Sequence, residues 1–296
     1  MNNINGIIIF NKPEGITSHD VVYILRKKLN IKKIGHTGTL DPMATGVLPM
    51  CIGKATKISE YFLKSDKEYI AEFEFGYETK TLDRTSEVIE RNTNIPTKEN
   101  LKSILKEFKG KISQVPPKYS ALKVNGKKLY ELAREGIEVD IKPRTIEIYE
   151  LEILKQINEK TFEIRVKCSS GTYIRSLIRD IARKLNSLAT LTNLKRIKTG
   201  NFMIDSSITK DELDKLSVED IKNKIIKIDD ALNNMGTYEI PRNFYERLIN
   251  GVKFRKILNF NNGELIKIYC KDEFIGIGEY ISSDNFMGIK MKKMLR

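Results

Sequence analysis

The sequence contains few side chains that bind metals or form disulfides. It has three cysteines and two histidines among 296 residues. The cysteines lie far apart and form no C-x-x-C pair, so neither a disulfide framework nor a cysteine zinc site is predicted. The low histidine count also argues against a histidine-based metal centre. We therefore expect no bound metal, and reduced cysteines that serve as packing residues.

Long apolar segments are equally scarce near the start of the chain. The longest apolar run there, residues 7–10, follows no basic residue. This run is too short for the hydrophobic part of a signal peptide or for a membrane span. We therefore expect a cytoplasmic protein that does not associate with membranes.

The glycine motifs of nucleotide cofactors are missing as well. Gly46 and Gly53 are separated by six residues rather than the four of a P-loop, and Ala55 follows Lys54 where that motif has Ser or Thr. The dinucleotide fingerprint lacks its third glycine after residues 276–278 and opens no helix there. We expect no nucleotide cofactor.

Positive charge, in contrast, is abundant. The chain has 52 Lys and Arg against 39 Asp and Glu, a formal net charge of +13. Such an excess attracts polyanions, so nucleic acid is the leading class of partner, although lysine-rich codon usage would produce the same bias. Hydrophobic residues make up 40% of the chain, which is enough for one large domain and a small one.

Hydrophobic periodicity predicts a mixed fold. Apolar runs or period-two alternation predict strands at residues 7–10, 69–75, 146–148 and 162–168. Helical spacing predicts helices at residues 18–29 with Ser18 as the cap, 54–63, 101–108 behind a Thr97 cap, and 174–185. Residues 34–53, rich in glycine and proline, are predicted to form a loop. The elements mix without strict alternation, which indicates the α+β class.

A change in the character of the sequence near residue 236 predicts a domain boundary. Residues from about 209 to 234 are helical and charged, whereas short β segments follow, such as residues 265–270 and 274–280. We expect domains at residues 1–235 and 236–296. The second domain is near the lower size limit for independent folding, so it should pack on the first.

The most informative segment is residues 35–49, with the sequence GHTGTLDPMATGVLP. Glycines let the backbone approach a ligand closely, and Asp41 followed by Pro42 forms a turn that fixes the direction of a carboxylate. An isolated Asp-Pro pair would merely begin a turn. The length and composition of the surrounding segment favour a functional carboxylate.

This segment resembles the central motif of the bacterial tRNA pseudouridine-55 synthases of the TruB type. Three further segments resemble that family in the same order: NKPEG at residues 11–15, QVPPKYSALK at residues 114–123 and GTYIR at residues 171–175. The likeness covers roughly residues 6–200. It implies a pseudouridine synthase fold with a central mixed, largely antiparallel sheet, an RNA-binding insertion at about residues 111–143, and a PUA-like C-terminal domain.

The resemblance implies that Asp41, Tyr69 and Arg175 are catalytic. Asp41 would act as the nucleophile, and Arg175 would hold its carboxylate ionised. Tyr69 would stack on the target uracil, a role that we favour over removal of the C5 proton because a phenol has a pKa of about 10. Without the resemblance, Arg175 is a solvated residue at the start of an amphipathic helix, and Tyr69 is a core aromatic on a strand. The reaction changes neither redox state nor composition, so it requires no cofactor.

The resemblance also implies a set of RNA contacts. The residues concerned are Lys12, His36, Thr37, Tyr119, Lys123, Lys127, Lys128, Tyr173 and Arg196. His36 would fill the space left by nucleotides flipped out of a stacked loop, or it is an ordinary turn histidine. The lysines and tyrosines suit phosphate contact and stacking.

The sequence departs from the family pattern at two positions. Ser86 stands where the family usually has glycine, and Lys195 stands where it commonly has arginine. Both positions are distant from Asp41 in sequence, so the departures bear on local RNA contacts rather than on the reaction.

The predicted activity is isomerisation of uridine 55 in the T-loop of tRNA to pseudouridine. The expected partner is the T-stem-loop of tRNA, without a guide RNA or an obligate protein partner, and the expected state is a monomer. Residues 43–47 and 125–127 resemble the stand-alone bacterial type. Two alternatives remain open: a protein that only binds or folds tRNA, and a guide-RNA-dependent synthase subunit.

Overall fold

The computed structural model describes residues 4–124 and 126–295. Asn125, which contributed to the prediction of a stand-alone enzyme, lies outside the described residues. Residues 1–3 and the C-terminal Arg296 also lie outside them.

Thirteen strands precede residue 204 in the described part of the chain. They are β1 (Gly6–Lys12), β2 (Ile34–His36), β3 (Thr45–Ile52), β4 (Lys67–Phe75), β5 (Tyr77–Thr79), β6 (Val88–Arg91), β7 (Gly110–Gln114), β8 (Lys123–Val124), β9 (Lys127–Lys128), β10 (Arg144–Gln156), β11 (Thr161–Cys168), β12 (Ala189–Thr199) and β13 (Phe202–Met203). Nine of these strands form one sheet in the order β1-β3-β12-β4-β11-β10-β7, with β2 paired to β3 and β13 to β12. Strands β5 and β6 form one separate pair, and β8 and β9 form another.

The large sheet is mixed and mostly antiparallel, as predicted. Among the described residues, β3 and β12 run parallel, whereas the other neighbouring pairs of this sheet are antiparallel. Because β12 also pairs with β4, it joins the N-terminal strands to the rest of the sheet.

Two strands, β2 and β3, lie where the sequence predicted a loop over residues 34–53, so that prediction was wrong in part. Val47 and Leu48 of β3 are fully buried, and this burial favours a strand over a solvated loop. Gly46 has a φ of +104°, and a Cβ there would lie 2.1 Å from the carbonyl oxygen of Arg196. The glycine therefore permits close contact between β3 and β12 instead of ending the strand.

The helices lie between the strands and in the segment after β13. They are α1 (Ser18–Leu29), α2 (Ser59–Leu63), α3 (Lys98–Ile104), α4 (Leu129–Arg134), α5 (Ile174–Lys184), α6 (Lys210–Lys215), α7 (Val218–Asn223), α8 (Ile228–Ala231) and α9 (Tyr245–Ile249). Short 3-10 helices occur at Gly53–Ile58, Leu105–Phe108, Ile204–Ser206 and Arg242–Phe244. Among the helices of the described residues, none has both the length and the hydrophobicity needed to cross a membrane.

The N-cap of α1 is Thr17, so the prediction of Ser18 was wrong. The Thr17 side chain accepts a hydrogen bond from the backbone of Asp20 in a capping box. The buried Ser18 hydroxyl instead accepts from the backbone N–H of Leu40 at 2.8 Å and donates to its carbonyl. Thr97 caps α3 as predicted.

The core of the large sheet forms where α5 covers one of its faces. Buried Leu177 and Ile181 of α5 belong to the same hydrophobic cluster as Phe73, Phe75 and Phe162 of the central strands. The amphipathic pattern at residues 174–185 therefore identified a helix that packs on the sheet. The first residues of this helix lie at the edge of the core, where side chains can reach a cleft.

A second sheet follows α8. Its strands are β14 (Gly236–Glu239), β15 (Phe254–Arg255), β16 (Leu265–Cys270), β17 (Glu273–Ser283) and β18 (Phe286–Met294), in the order β14-β16-β17-β18-β15. This small β-rich unit is consistent with a PUA-like domain. Its first strand begins at the residue from which the sequence predicted a separate domain.

The C-terminal sheet packs on the main body through an apolar cluster. Ile277 and Leu295 share this buried cluster with Ile7 of β1 and Phe202 of β13. Lys57 adds a hydrogen bond to the Met294 carbonyl at 2.9 Å. The contact includes buried apolar side chains of both parts, so the position of the second sheet is fixed by packing.

Gly46→Ala is expected to destabilise the protein by at least about 3 kcal/mol, because the new Cβ would collide with β12 and occupy a strained φ. Gly15 also has a positive φ, +87°, but nothing lies within 4 Å of a Cβ there, whereas Gly35 has neither constraint. Denaturant unfolding should therefore show that Gly46→Ala is far less stable than Gly15→Ala, and that Gly15→Ala is less stable than Gly35→Ala. Equal stability of the three variants would contradict the proposed close contact of β3 and β12.

Candidate active site

Asp41 lies in the turn between β2 and β3, and the neighbouring backbone fixes its position. Its carbonyl accepts a hydrogen bond from the backbone N–H of Ala44 at 3.0 Å, and the Pro42 carbonyl accepts from Gly15 at 2.9 Å. On the other side, Ser18 makes the two hydrogen bonds to Leu40 described above. The turn is therefore attached both to the loop that follows β1 and to α1, and the carboxylate direction is preorganised.

Arg175, in the first turn of α5, forms an ion pair with Asp41. Its Nε lies 2.9 Å from Asp41 Oδ2, and its Nη2 donates to Oδ1 at 3.1 Å. Two of the remaining guanidinium N–H groups donate to the carbonyls of Thr81 and Tyr119 at 2.9 and 3.0 Å. The Arg175 side chain is 5% exposed, so it is not the solvated helix residue of the alternative interpretation.

A second carboxylate, Asp83, contacts the same guanidinium. Its Oδ2 lies 3.4 Å from Arg175 Nη1, and both side chains are 5% exposed. The preceding residue, Leu82, has a φ of +64°, a strained conformation for leucine that tertiary contacts must hold. Leu191 provides such a contact, because its N–H donates to the Leu82 carbonyl at 3.2 Å and its carbonyl accepts from the Arg84 N–H at 3.0 Å.

Asp83 was not among the predicted site residues. Asp83 lies in the family-like stretch TKTLDRTS at residues 79–86, and the departure of that stretch at Ser86 was related only to local RNA contacts. In that stretch, Ser86 replaces the usual glycine, and its hydroxyl accepts a hydrogen bond from the Thr81 backbone at 2.9 Å. The serine thus helps to close the loop that holds Asp83.

Burial affects the pKa of Asp41 more than the ion pair with Arg175 does. Burial raises the pKa of the Asp41 carboxyl, Arg175 opposes this rise, and Asp83 adds to it. The sequence predicted the contact with Arg175, and from it a lowered pKa of Asp41. The pKa shifts in the opposite direction because burial outweighs the effect of Arg175, and Asp83 adds to the rise. The Asp41 side chain remains 32% exposed, so water in the cleft limits the rise.

Asp41 and Arg175 lie at one end of a cleft with a cavity of about 340 Å³. This volume is in the range of small-ligand sites, roughly 300–1,000 Å³. Tyr69, Tyr173 and Arg196, three other predicted residues, line the same cavity. Burial raises the pKa of both tyrosines, so the phenols stay protonated at neutral pH.

Two predicted RNA contacts, Lys12 and Arg196, have their charged groups inside the protein. Lys12 is fully buried, and its ammonium donates to the carbonyls of Pro13, Ile16 and Pro42. Burial lowers the pKa of Lys12 to about 8. Arg196 donates from Nε to the Val47 carbonyl at 2.7 Å, although it also lines the cleft.

His36 and Thr37 flank the start of the Asp41 turn. His36 is half-buried, its Nδ1 accepts from the Gly38 backbone at 3.3 Å, and burial lowers its pKa. Thr37 is fully buried, and both its N–H and its hydroxyl donate to the Pro49 carbonyl. In this conformation His36 is the more accessible of the two.

The remaining predicted RNA residues belong to the segment between β7 and β10. Tyr119 is half-buried beside the cleft, whereas Lys123 and Lys127 are exposed on β8 and β9. Lys128 lies with its ammonium 5.3 Å from the centre of the Tyr130 ring. The structure thus places Asp41, Tyr69, Tyr173, Arg175 and Arg196 in one cavity, and the lysines around a neighbouring hairpin.

Comparison with solved structures identifies the same fold. A Cbf5-Nop10-Gar1 complex gives a TM-score of 0.74 at 27% identity, covering 98% of this chain and 85% of that chain. The Nop10-Cbf5 complex of an archaeal box H/ACA sRNP gives 0.72 at 25% identity, covering 98% and 86%. The chain therefore shares the fold of the Cbf5 proteins in these two complexes.

The sequence comparisons define the family more narrowly. The family model for "TruB family pseudouridylate synthase (N terminal domain)" matches residues 26–174. The chain belongs to the TruB family and is an isomerase. Relatives named tRNA pseudouridine synthase B include one from Clostridium tetani, 44% identical over 99% of this chain and 100% of its own length. Another, from Francisella philomiragia, is 43% identical over 94% of this chain and 92% of its own length.

Asp83→Asn is expected to move the acidic limb of the kcat/KM profile of the enzyme to lower pH. The Asp83 carboxylate raises the pKa of Asp41, and a neutral amide removes that repulsion, so Asp41 stays ionised to a lower pH. The check is kcat/KM for pseudouridine formation as a function of pH. Asp205→Asn, at an exposed position, is the control and should leave the acidic limb unchanged. If the acidic limb of Asp83→Asn also stays unchanged, Asp83 does not raise the pKa of Asp41.

Proposed function

We propose that this enzyme isomerises uridine 55 in the T-loop of tRNA to pseudouridine, with Asp41 as the nucleophile. The observation that supports this most directly is the Asp41 carboxylate, ion-paired with a buried arginine in a nucleotide-sized cleft. The relatives named tRNA pseudouridine synthase B match nearly the whole chain. The substrate and the position of the uridine follow from that likeness.

The reaction needs no other reactant. The N1–C1′ glycosidic bond breaks and a C5–C1′ bond forms, a proton leaves C5, and N1 gains one, so the composition of the RNA is unchanged. The ionised Asp41 carboxylate would attack the sugar or the base, or assist a glycal-like intermediate. Burial raises the pKa of the Asp41 carboxyl, so its ionised form is a better base than an ordinary aspartate.

Arg175 and Tyr69 would have different roles around this carboxylate. The guanidinium fixes both Asp41 oxygens and supplies the positive charge that favours the ionised form. Tyr69 lies in the same cavity with a protonated phenol, which favours stacking on the uracil over proton removal. Tyr173, which lines the same cavity, would also contact the nucleotide.

The target base must leave the RNA stack to reach Asp41. Extruding a nucleotide costs a few kcal/mol, which contacts elsewhere on the RNA have to offset. His36, half-buried at the rim of the Asp41 turn, would fill the space that the flipped nucleotides leave. Lys12 and Thr37 would contribute by holding this turn, because their polar groups bind the backbone around it.

The hairpin lysines and the C-terminal sheet would supply RNA contacts outside the cleft. Lys123 and Lys127 are exposed and suit phosphates of the T-arm, whereas Tyr119 and Lys128 lie nearer the protein body. We also propose the division into domains at residues 1–235 and 236–296, with the insertion at about residues 111–143 as an RNA-binding element. The second domain would hold the acceptor-stem side of tRNA.

The choice between a stand-alone enzyme and a guide-dependent subunit rests on the degree of similarity. Identity is 43–44% to the relatives named tRNA pseudouridine synthase B, but 25–27% to the two Cbf5 structures. We therefore favour a monomeric cytoplasmic enzyme that acts on tRNA without a guide RNA or a protein partner.

Purified protein alone should release tritium from an unmodified tRNA transcript labelled at C5 of uridine, stoichiometrically with the tRNA. Asp41→Asn should bind the same transcript but release only background tritium, because the amide cannot act as a nucleophile. Filter binding at matched concentrations provides the affinity, and nearest-neighbour analysis of the product provides the position.

Three outcomes separate the alternatives. Binding by the wild type without tritium release would support a tRNA-binding or folding protein. Release that requires added guide RNA would support the guide-dependent subunit. Unchanged release by Asp41→Asn would exclude Asp41 as the nucleophile.

A further inference from the structure

A second cavity lies next to the candidate active site. It has a volume of about 350 Å³, and four lysines line it: Lys64, Lys67, Lys167 and Lys198. Lys67 also lines the active-site cavity, so the two cavities share this side chain as a common wall. A group held in the second cavity would therefore lie directly beside the nucleotide at Asp41.

The acids of the second cavity do not balance its lysines. Asp66 and Glu68 line it together with the four lysines. Glu68 forms an ion pair with Arg165, which is not part of the cavity lining. Asp66 accepts a hydrogen bond from the Tyr149 hydroxyl at 3.2 Å. Asp66, which forms no ion pair within the described residues, is therefore the one lining carboxylate left to offset the lysines, and the cavity attracts anions.

Two of the lysines are available to a ligand. Lys167 is engaged with Glu150 at 2.8 Å, whereas Lys64 and Lys198 form no ion pair with any residue among 4–124 and 126–295. Lys64 is exposed and Lys198 is half-buried. Both side chains can reach an anion without first breaking a salt bridge in the protein.

Lys67 adds a buried donor at the common wall. It is 7% exposed, and its ammonium donates to the carbonyls of Leu63 and Ser65. An ammonium has three donors, so one remains for a ligand. Burial lowers the pKa of Lys67 to about 8, and an anion at this position would add to the negative charge of Asp66, which acts in the opposite direction.

Neutral polar groups complete the lining. The side chains of Ser65, Asn201 and Asn234 line the cavity beside Gly200. Gly200 has a φ of +55°, and a Cβ there would lie 3.0 Å from Ser65 Oγ, so glycine keeps this wall open. Hydroxyl and amide donors around an excess of ammonium groups are suited to phosphate oxygens.

We propose that this second cavity binds a backbone phosphate of the substrate RNA adjacent to the nucleotide held at Asp41. The inference rests on the proposed function, because it assumes that the active-site cavity receives a nucleotide of RNA. The phosphate site would hold the strand beside the extruded base, so that the lysines contribute to binding rather than to the chemical step.

The test is the double variant Lys64→Ala with Lys198→Ala, assayed by tritium release from tRNA at several salt concentrations. We expect KM to rise about 3- to 10-fold with kcat unchanged, and the dependence of log KM on log salt to weaken by about one unit per lysine that contacts a phosphate. Lys64→Arg with Lys198→Arg should keep the wild-type KM, because it keeps both charges. Lys210→Ala with Lys222→Ala, which removes equal charge from α6 and α7, should leave KM unchanged.

The ligand itself can be identified with T-arm RNAs that carry one neutral methylphosphonate each, bound to the inactive Asp41→Asn protein. At one phosphate beside the target uridine, the substitution should weaken binding about 3- to 10-fold. The same substitution should have no further effect when Lys64 and Lys198 are alanines, because the two changes remove one interaction.

The outcomes for the two proposals are distinct. If the wild type is active, Asp41→Asn is inactive, and the lysine variant matches the wild type in KM and salt dependence, the phosphate site is wrong and the proposed function stands. The phosphate site would also be wrong if the loss of binding caused by the lysine changes simply added to the loss caused by the methylphosphonate at every position tested. If the wild type releases no tritium from tRNA, both proposals fail.

Discussion

The guanidinium of Arg175 joins three chain segments that are far apart in sequence: the Asp41 turn, the loop at Thr81 and the segment at Tyr119. A planar group with five donors can satisfy partners in several directions at once, which a lysine cannot. Because the arginine is buried, loss of any partner would leave an unpaired charge or carbonyl in the interior. The geometry of the cleft depends on this one side chain.

The same contact explains why the site is electrostatically strained. Asp41 and Asp83 share Arg175, and the buried ammonium of Lys12 is the next positive charge near Asp41. Two acids around one buried cation raise the cost of ionising Asp41 above that of a simple ion pair. A carboxylate that is fixed by its neighbours yet incompletely neutralised has the basicity that the proposed role of Asp41 as a nucleophile requires.

The sequence predicted the elements better than their contacts. Period-two and helical spacing located β4, β11 and α5, since burial of one face follows directly from alternation. The glycines and prolines of residues 34–53 concealed β2 and β3, because Gly46 permits a contact with β12 that no local pattern reveals. Asp83 and the direction of the Asp41 pKa shift were missed for the same reason: both depend on residues brought together by the tertiary fold.

The parallel pairing of β3 with β12 has a consequence for the growing chain. The hydrogen bond from Arg196 to Val47 spans 149 residues, and that from Arg175 to Asp41 spans 134. Contacts of such high order form late, because the intervening chain must first be ordered. During synthesis from the N-terminus, the Asp41 turn therefore lacks its Arg175 contact until α5 has left the ribosome, and β3 lacks its hydrogen bond from Arg196 until β12 has followed. A nascent or truncated chain that ends before α5 would lack the ion pair of the candidate site.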